Sequence, residues 1–160
     1  MKILVISDTH RNNAYFSELI NEIGKIDMLV HCGDISGSEY YYENSVLCEA
    51  VMILGNNDYS LDLKDDAYIE AEGHKIWVNH GHLYKVHRDR ESLMEEAYRR
   101  GADIVLYGHT HVPRVEYDEI LGVYAANPGS LALPRQENHR PSYMIMNVEE
   151  GNVEFDIRYV

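Results

Sequence analysis

Cysteine is nearly absent from this chain. The two present, Cys32 and Cys48, form no Cys-x-x-Cys pair, and Cys32 stands inside an apolar run. That offers neither a disulfide scaffold nor a thiolate zinc knot, and both are expected to be reduced core thiols of a cytoplasmic protein. Positive charge is scarce too: 14 Lys and Arg against 27 Asp and Glu leave a net charge of −13. Stable, sequence-independent nucleic-acid binding needs a basic footprint, and this chain lacks one. Most of such acidity serves solubility, and part of it can serve cations. No apolar run approaches the length of a membrane span, and the first one ends at Asp8, too soon for a signal peptide. Linkers, repeats and low-complexity segments are also missing. The 160 residues are therefore expected to form one domain, 1–160, long enough to bury about 70% of the unfolded surface.

What the chain does have is a series of short apolar runs, each ending in a polar residue. The first, Ile3 to Ile6, reads as a strand buried on both faces, and it empties into Asp8-Thr9-His10. In an extended chain residues i and i+2 point the same way, so Asp8 and His10 are expected to leave the sheet edge side by side. Asn12 and Asn13 offer helix caps before Phe16, Leu19, Ile20 and Ile23, which recur at helical spacing up to Gly24. Met28 to Cys32 is a second buried strand, parallel to the first, and stops at Gly33-Asp34. A short helix is expected between Glu39 and Ala50, with Tyr40-Tyr41-Tyr42 divided between packing and surface rather than stacked on a base. Val51 to Leu54 is a third strand, closed by Gly55-Asn56-Asn57-Asp58.

The remaining elements repeat the pattern. A hairpin over 67–79 ends in His80-Gly81-His82. A helix over 89–100 turns Leu93, Met94 and Ala97 inward and stops at Gly101. A strand over 103–107 ends in Gly108-His109-Thr110-His111. The rest is antiparallel in character, with strands near 112–117, 122–126, 142–148 and 152–159.

Five strand ends thus carry Asp8 and His10, Asp34, Asn56, His80, and His109 and His111. Any one of these could be an ordinary turn or capping residue. Their repetition at one topological edge argues for a shared site, whereas His74, His87 and His139 are scattered. Seven nitrogen and oxygen ligands are too many for one tetrahedral ion and suit two ions sharing a carboxylate.

Asp8-x-His10, Gly33-Asp34, Gly55-Asn56, His80-Gly81-His82 and Gly108-His109-Thr110-His111, in that order, resemble the calcineurin-like metallophosphoesterases. The likeness is to the small YfcE-type phosphodiesterases of bacteria and archaea, which also carry the Asn-Pro-Gly-Ser found at 127–130. It spans nearly the whole chain. The resemblance implies an α/β fold, a four-layer α-β-β-α sandwich of two mixed sheets flanked by helices. It implies two divalent transition-metal ions, often manganese, with iron, nickel and zinc as alternatives. Asp8, His10 and His111 would take one ion, Asn56, His80 and His109 the other, and Asp34 would bridge them. A hydroxide activated between the ions would hydrolyse a small phosphodiester.

Two departures stand out. Asn57 occupies the position where the wider superfamily has the histidine that contacts phosphate and protonates the leaving group. An amide is no general acid, although Asp58 stands next to it as a partner for an imidazole. Arg11 follows the first motif where glycine is common; it either reaches a phosphate or points into solvent. Asn57, which can still donate a hydrogen bond, is the catalytic and a substrate-binding candidate, and His82 is a further substrate-binding candidate. The competing reading is a non-catalytic scaffold or binding module on the same fold, as in a vesicle-coat relative whose metal site is degraded; the oligomeric state, a homo-oligomer included, is left open.

Overall fold

The structure, a computed structural model, describes residues 1–60 and 62–160. In chain order the elements are β1 (Lys2–Ile6), α1 (Ala14–Ile23), β2 (Met28–His31), α2 (Glu39–Ser45), β3 (Glu49–Met52), β4 (Asp66–Ala71) and β5 (His74–Asn79). Then follow α3 (Glu91–Arg99), β6 (Ile104–Leu106), β7 (Arg114–Asp118), β8 (Val123–Asn127), β9 (Ser142–Glu149) and β10 (Asn152–Tyr159), with a 3₁₀ turn at His82–Tyr84 before α3. They make two five-stranded sheets, β10-β9-β1-β2-β3 and β4-β5-β6-β8-β7. Both are mixed. β1, β2 and β3 run parallel while β9 pairs antiparallel with β1; β5, β6 and β8 run parallel while β4 and β7 close the edges as antiparallel hairpin arms.

The period-2 alternation of each central strand explains the layering. Ile3 and Val5 face Ile76, Val78, Ile104 and Leu106 of the second sheet, forming the core between sheets. Their neighbours Leu4 and Ile6 face the other way, onto Phe16 and Leu19 of α1 and Tyr42 of α2. In the second sheet Trp77 and Val105 turn outward onto Leu93, Met94 and Ala97 of α3. The expected α-β-β-α sandwich is therefore present, and β1 reads as a continuous aliphatic run because it has a packed layer on each side.

Local departures have tertiary causes. The α2 helix ends at Ser45 rather than continuing to Ala50, because Glu49–Met52 pairs with β2 instead. β8 is parallel to β6, so the last third of the chain is only partly antiparallel. The α1 cap comes from Asn12, whose Oδ1 accepts the Ala14 N–H at 3.2 Å; the Asn13 side chain is engaged by Ser38 and Tyr42. Tyr42 is buried, Tyr41 packs on Phe16 and Tyr40 is exposed, the division expected for that triplet. Cys32 is buried, but Cys48 is only half-buried, so one of the two thiols is not in the core. Among the described residues no helix is long and apolar enough to cross a membrane.

Because β1 is sandwiched on both faces, Ile3→Ala should lower unfolding free energy by about 2–5 kcal/mol. Ile157→Ala, on the partly open edge strand β10, should lower it by less. Urea unfolding followed by circular dichroism measures both, and a single cooperative transition in each variant is expected.

Candidate metal centre

All the loops singled out by sequence leave the carboxyl ends of parallel strands, β1, β2 and β3 in one sheet and β5 and β6 in the other. The loops meet across the seam between the sheets. Asp8 Oδ1 lies 3.1 Å from His111 Nε2, and the Asp34 oxygens lie 3.6 Å from His10 Nε2 on one side and 3.6 Å from His80 Nε2 on the other.

Such crowding needs unusual backbone. Asp8, His10, Asp34, His109 and His111 all have positive φ, at 53°, 45°, 59°, 68° and 60°. Such conformations cost a non-glycine residue of order 1–3 kcal/mol and persist only where surroundings enforce them. Here the Asp8 N–H donates to Gly33 O at 3.0 Å and the His10 N–H to Asp34 O at 2.9 Å, locking the first two loops together. The expectation that Asp8 and His10 aim alike as alternate residues of a strand is thus corrected. β1 ends at Ile6, and left-handed turns, not strand pleat, point these side chains. The small residues of the motifs make room. A Cβ on Gly55 would strike Asp34, and one on Gly108 would strike Ser7 Oγ and lie 2.8 Å from Asp8 Oδ2.

The groups gathered here are electron-pair donors with few protons among them. His80 Nδ1–H donates to Cys32 O at 2.7 Å and His111 Nδ1–H to Leu133 O at 2.7 Å. Each ring's Nε2 is thereby turned inward as a lone pair. His80 Nε2 stands 3.2 Å from Asn56 Oδ1, and His10 Nε2 stands 3.4 Å from His111 Nε2. Asp8 Oδ1 is buried and, despite its closeness to His111, has no aligned hydrogen-bond donor among the described residues. One ligand atom from each of Asp8, His10, Asp34 and His111 can be drawn within 4.8 Å of one another. Oxygen and imidazole donors converging on a buried, unsatisfied carboxylate fit a divalent cation. The second group is more open: the His109 ring centroid is 5.2 Å from that of His80.

Electrostatics follow from this crowding. Burial works to raise Asp8, but its contacts with His111, His80 and Ser7 prevail and hold it below the usual carboxylate range. Burial also pulls His111 down, yet Asp8 and the Leu133 carbonyl raise it on balance. Burial, with His80 and His87 nearby, lowers His109 to about 4.

A second ring of residues, most of them missed by sequence reasoning, holds the first. Ser7 Oγ donates to Asp8 Oδ2 at 2.7 Å. In the Asn-Pro-Gly-Ser loop, Asn127 Nδ2 donates to Gly108 O at 2.8 Å and Ser130 Oγ to Asp8 O at 2.7 Å. The signal was available, since this loop is one more polar turn at the end of an apolar strand, β8. His31, fully buried, links Thr9 Oγ1 at 3.0 Å with the Gly33 N–H at 3.2 Å, tying two ligand loops from beneath.

Asn57 is engaged by Asp34. Its backbone N–H donates to Asp34 Oδ1 at 2.9 Å and its Nδ2 to Asp34 Oδ2 at 2.7 Å, so it clasps the carboxylate. Asp58 is not a ready partner for an imidazole at position 57: its oxygens accept the Ser36 and Gly55 N–H groups at 2.6 and 2.8 Å. Arg11 is exposed and folds onto the next loop, its Nε donating to Ser36 O at 3.0 Å. His82 sits 5.5 Å from His80 and 6.1 Å from His109, ring to ring, with a buried Nδ1 that has no protein partner among the described residues. His87, read as scattered, in fact lies against His109, the two rings 4.6 Å apart and tilted by 58°. Nothing in its exposed turn marks it in sequence. His74 pairs with Asp103 and His139 is exposed, both apart from this cluster.

Comparison with known proteins agrees with this geometry. Residues 1–151 match the family model of the calcineurin-like phosphoesterase superfamily domain. The chain is 33% identical to the probable metallophosphoesterase YsnB of Bacillus subtilis, over 93% of this chain and 85% of that one. It is 30% identical to the phosphodiesterase MJ0936 of Methanocaldococcus jannaschii, over 81% and 83%. A crystal structure of a Vps29 single mutant from Entamoeba histolytica superposes on 100% of this chain and 99% of its own, with a TM-score of 0.80 and 26% identity.

Burial holds the His31 pKa at about 3. Unfolding lets this ring take up a proton near its ordinary pKa of about 6.5. Its contribution to stability is therefore complete above that pH and is lost as pH falls towards 3, with a slope of up to about 1.4 kcal/mol per pH unit. Denaturant titrations of metal-free protein between pH 7 and 4 should show the slope reduced by about one proton in His31→Gln.

Proposed function

The chain belongs to the calcineurin-like phosphoesterase superfamily, and from that premise we propose that it is a phosphodiesterase using two divalent metal ions on a small phosphodiester. The observation that carries this reading is the convergence of buried carboxylate and imidazole electron pairs, with an unsatisfied Asp8 oxygen among them, at one seam. All of this belongs to one domain. Asp8, His10 and His111 would hold one ion and Asn56, His80 and His109 the other. The Asp34 carboxylate would bridge, which its equal 3.6 Å approaches to His10 and His80 support. Bound there, the ions supply Lewis-acid charge for the phosphoryl oxygens and acidify the attacking water. The donor set of nitrogen and oxygen suits manganese, iron, nickel or zinc, and manganese is the reading favoured by family resemblance.

The chain's own residues do the rest. Carbonyl-anchored His80 and His111 cannot rotate their lone pairs away without breaking a hydrogen bond. Asn57 fixes both Asp34 oxygens while leaving each with a further lone pair for an ion. His82, whose ring lies beside His80 and His109, and Arg11, with the outer nitrogens of its guanidinium, are the phosphate contacts in this reading. No acid stands at position 57 to protonate a leaving group, which favours leaving groups that depart unaided. A phenoxide, with a phenol pKa of about 10, does so readily, and an alkoxide does not. Activated aryl diesters should turn over faster than unactivated alkyl diesters.

The likeness to Vps29 favours a second reading, a scaffold that covers this surface with a partner. Retention of all seven donor residues weighs against it, and metal-dependent turnover separates the two.

Chelation should abolish hydrolysis of an aryl diester and manganese should restore it, with elemental analysis giving two ions per chain; one ion or none would end the two-metal reading. Asp34→Asn should lower turnover by more than about 100-fold, beyond the 10–100-fold typical of groups that only support a ligand. Asn57→Ala should fall inside that supporting range, weakening manganese affinity about 10–100-fold with the fold intact by circular dichroism.

A further inference from the structure

Next to His109 a cavity of about 180 Å³ opens between the segment leading into α3 and the start of β7. Its walls include His87, Arg90, Tyr107, Thr110 and Arg114. It adjoins the candidate metal centre directly, since Thr110 lies between His109 and His111 and the His87 ring lies 4.6 Å from that of His109.

The charge in this cavity runs against the rest of the chain. Arg90 donates through Nε and Nη2 to Glu116 at 2.5 and 2.7 Å, and Arg114 donates to the same carboxylate through Nε at 2.8 Å with Nη2 at 2.7 Å. One carboxylate thus sits between two guanidiniums, so this three-residue group carries one unmatched positive charge in a protein whose net charge is −13. The Nη1 group of each arginine has no protein acceptor among the described residues. The neighbouring hollow shares Arg90 but is lined also by Asp89, Glu91, Glu116 and Asp118, whereas the charged side chains lining this pocket are Arg90 and Arg114.

Size narrows the ligand. A volume of about 180 Å³ is well below the usual 300–1,000 Å³ of a pocket for a whole organic ligand. It suits one small group and not a nucleobase with its sugar. Guanidinium nitrogens beside a hydroxyl and an imidazole are donors that match phosphoryl or carboxylate oxygens. We propose that this pocket binds an anionic group, phosphoryl or carboxylate, carried on one arm of the diester whose phosphorus sits at the metal centre. The substrate class is then a diester with a second negative group, and Arg90 and Arg114 set that specificity. This rests on the phosphodiesterase reading above.

The test compares two substrates of the manganese-loaded protein: the p-nitrophenyl ester of a nucleoside monophosphate, with and without a second phosphate on the far side of the ribose. In both, water adds to phosphorus, the bond from phosphorus to the aryl oxygen breaks and p-nitrophenolate leaves. The bisphosphorylated substrate should show a kcat/KM advantage of about tenfold at low salt, the effect of one or two charge-assisted hydrogen bonds at a partly exposed site. The advantage should shrink as salt screens it. Arg114→Ala should bring the ratio of the two substrates to near one through KM, and Glu116→Gln should widen it. Equal use of both substrates by the wild-type protein, or a ratio untouched by Arg114→Ala, overturns the proposal. If neither ester is hydrolysed, it is the phosphodiesterase reading that fails. The pocket is then judged by calorimetry, where tighter binding of a nucleoside bisphosphate than of the monophosphate, lost in Arg114→Ala, supports it and equal affinity overturns it.

Discussion

The structure depends on a concentration of electron-pair donors that the protein does not neutralise by itself. Two buried carboxylates, Asp8 and Asp34, and the ring nitrogens of His10, His80 and His111 face one another across the seam between the sheets. In an apolar interior such a group repels itself, and each unpaired acceptor is costly. The surrounding donors that exist, from Ser7, Asn57 and the His109 backbone, satisfy part of the carboxylates' capacity and leave the inward faces open. A bound cation supplies what is missing, and this is why the family's chemistry and the site's internal electrostatics point the same way.

The rest of the fold can be understood as the apparatus that holds those charges in place. Two buried sheets bring parallel strand ends to one edge, and positive-φ turns then re-aim the side chains inward. Gly55 and Gly108 are required there because the neighbouring backbone and carboxylates leave no space for a Cβ. Polar loops with no metal-ligating residue of their own complete the framework. The Asn127–Ser130 loop reaches both the first and the last ligand motifs, and His31 joins the first two from below. Positioning is therefore distributed over more of the chain than the ligands alone.

The acidity of the chain has a consequence for ligand choice. With a net charge of −13, an anionic substrate is repelled by much of the surface. In the reading proposed above, binding energy for it would come from local positive charge: cations held at the seam, and the guanidiniums of Arg90 and Arg114 beside His109.

Much of this was legible in the sequence. Aliphatic runs ending in Asp8, Asp34, Asn56, His80 and His109 mark strands and their polar tips, because burial demands apolar residues up to the sheet edge and chemistry demands polar ones just past it. Short-range periodicity also determined α1, α3 and the β4–β5 hairpin. Other features depended on contacts between residues far apart in the chain. Glu49–Met52 became strand rather than helix because β2 offered it a partner, and Asp8 and His10 are aimed by left-handed turns that loop-to-loop hydrogen bonds enforce. The amide of Asn57 went to Asp34, and Asp58 to backbone N–H groups, because those partners lie within reach only in the folded chain. His87 came to rest on His109 from an exposed turn with no local signature. Sequence alone could determine which residues are buried and which chemistry they carry, since burial and periodicity are local. Where each polar side chain points was decided by tertiary structure, because a hydrogen bond needs a partner within about 3 Å and the chain path alone does not provide one.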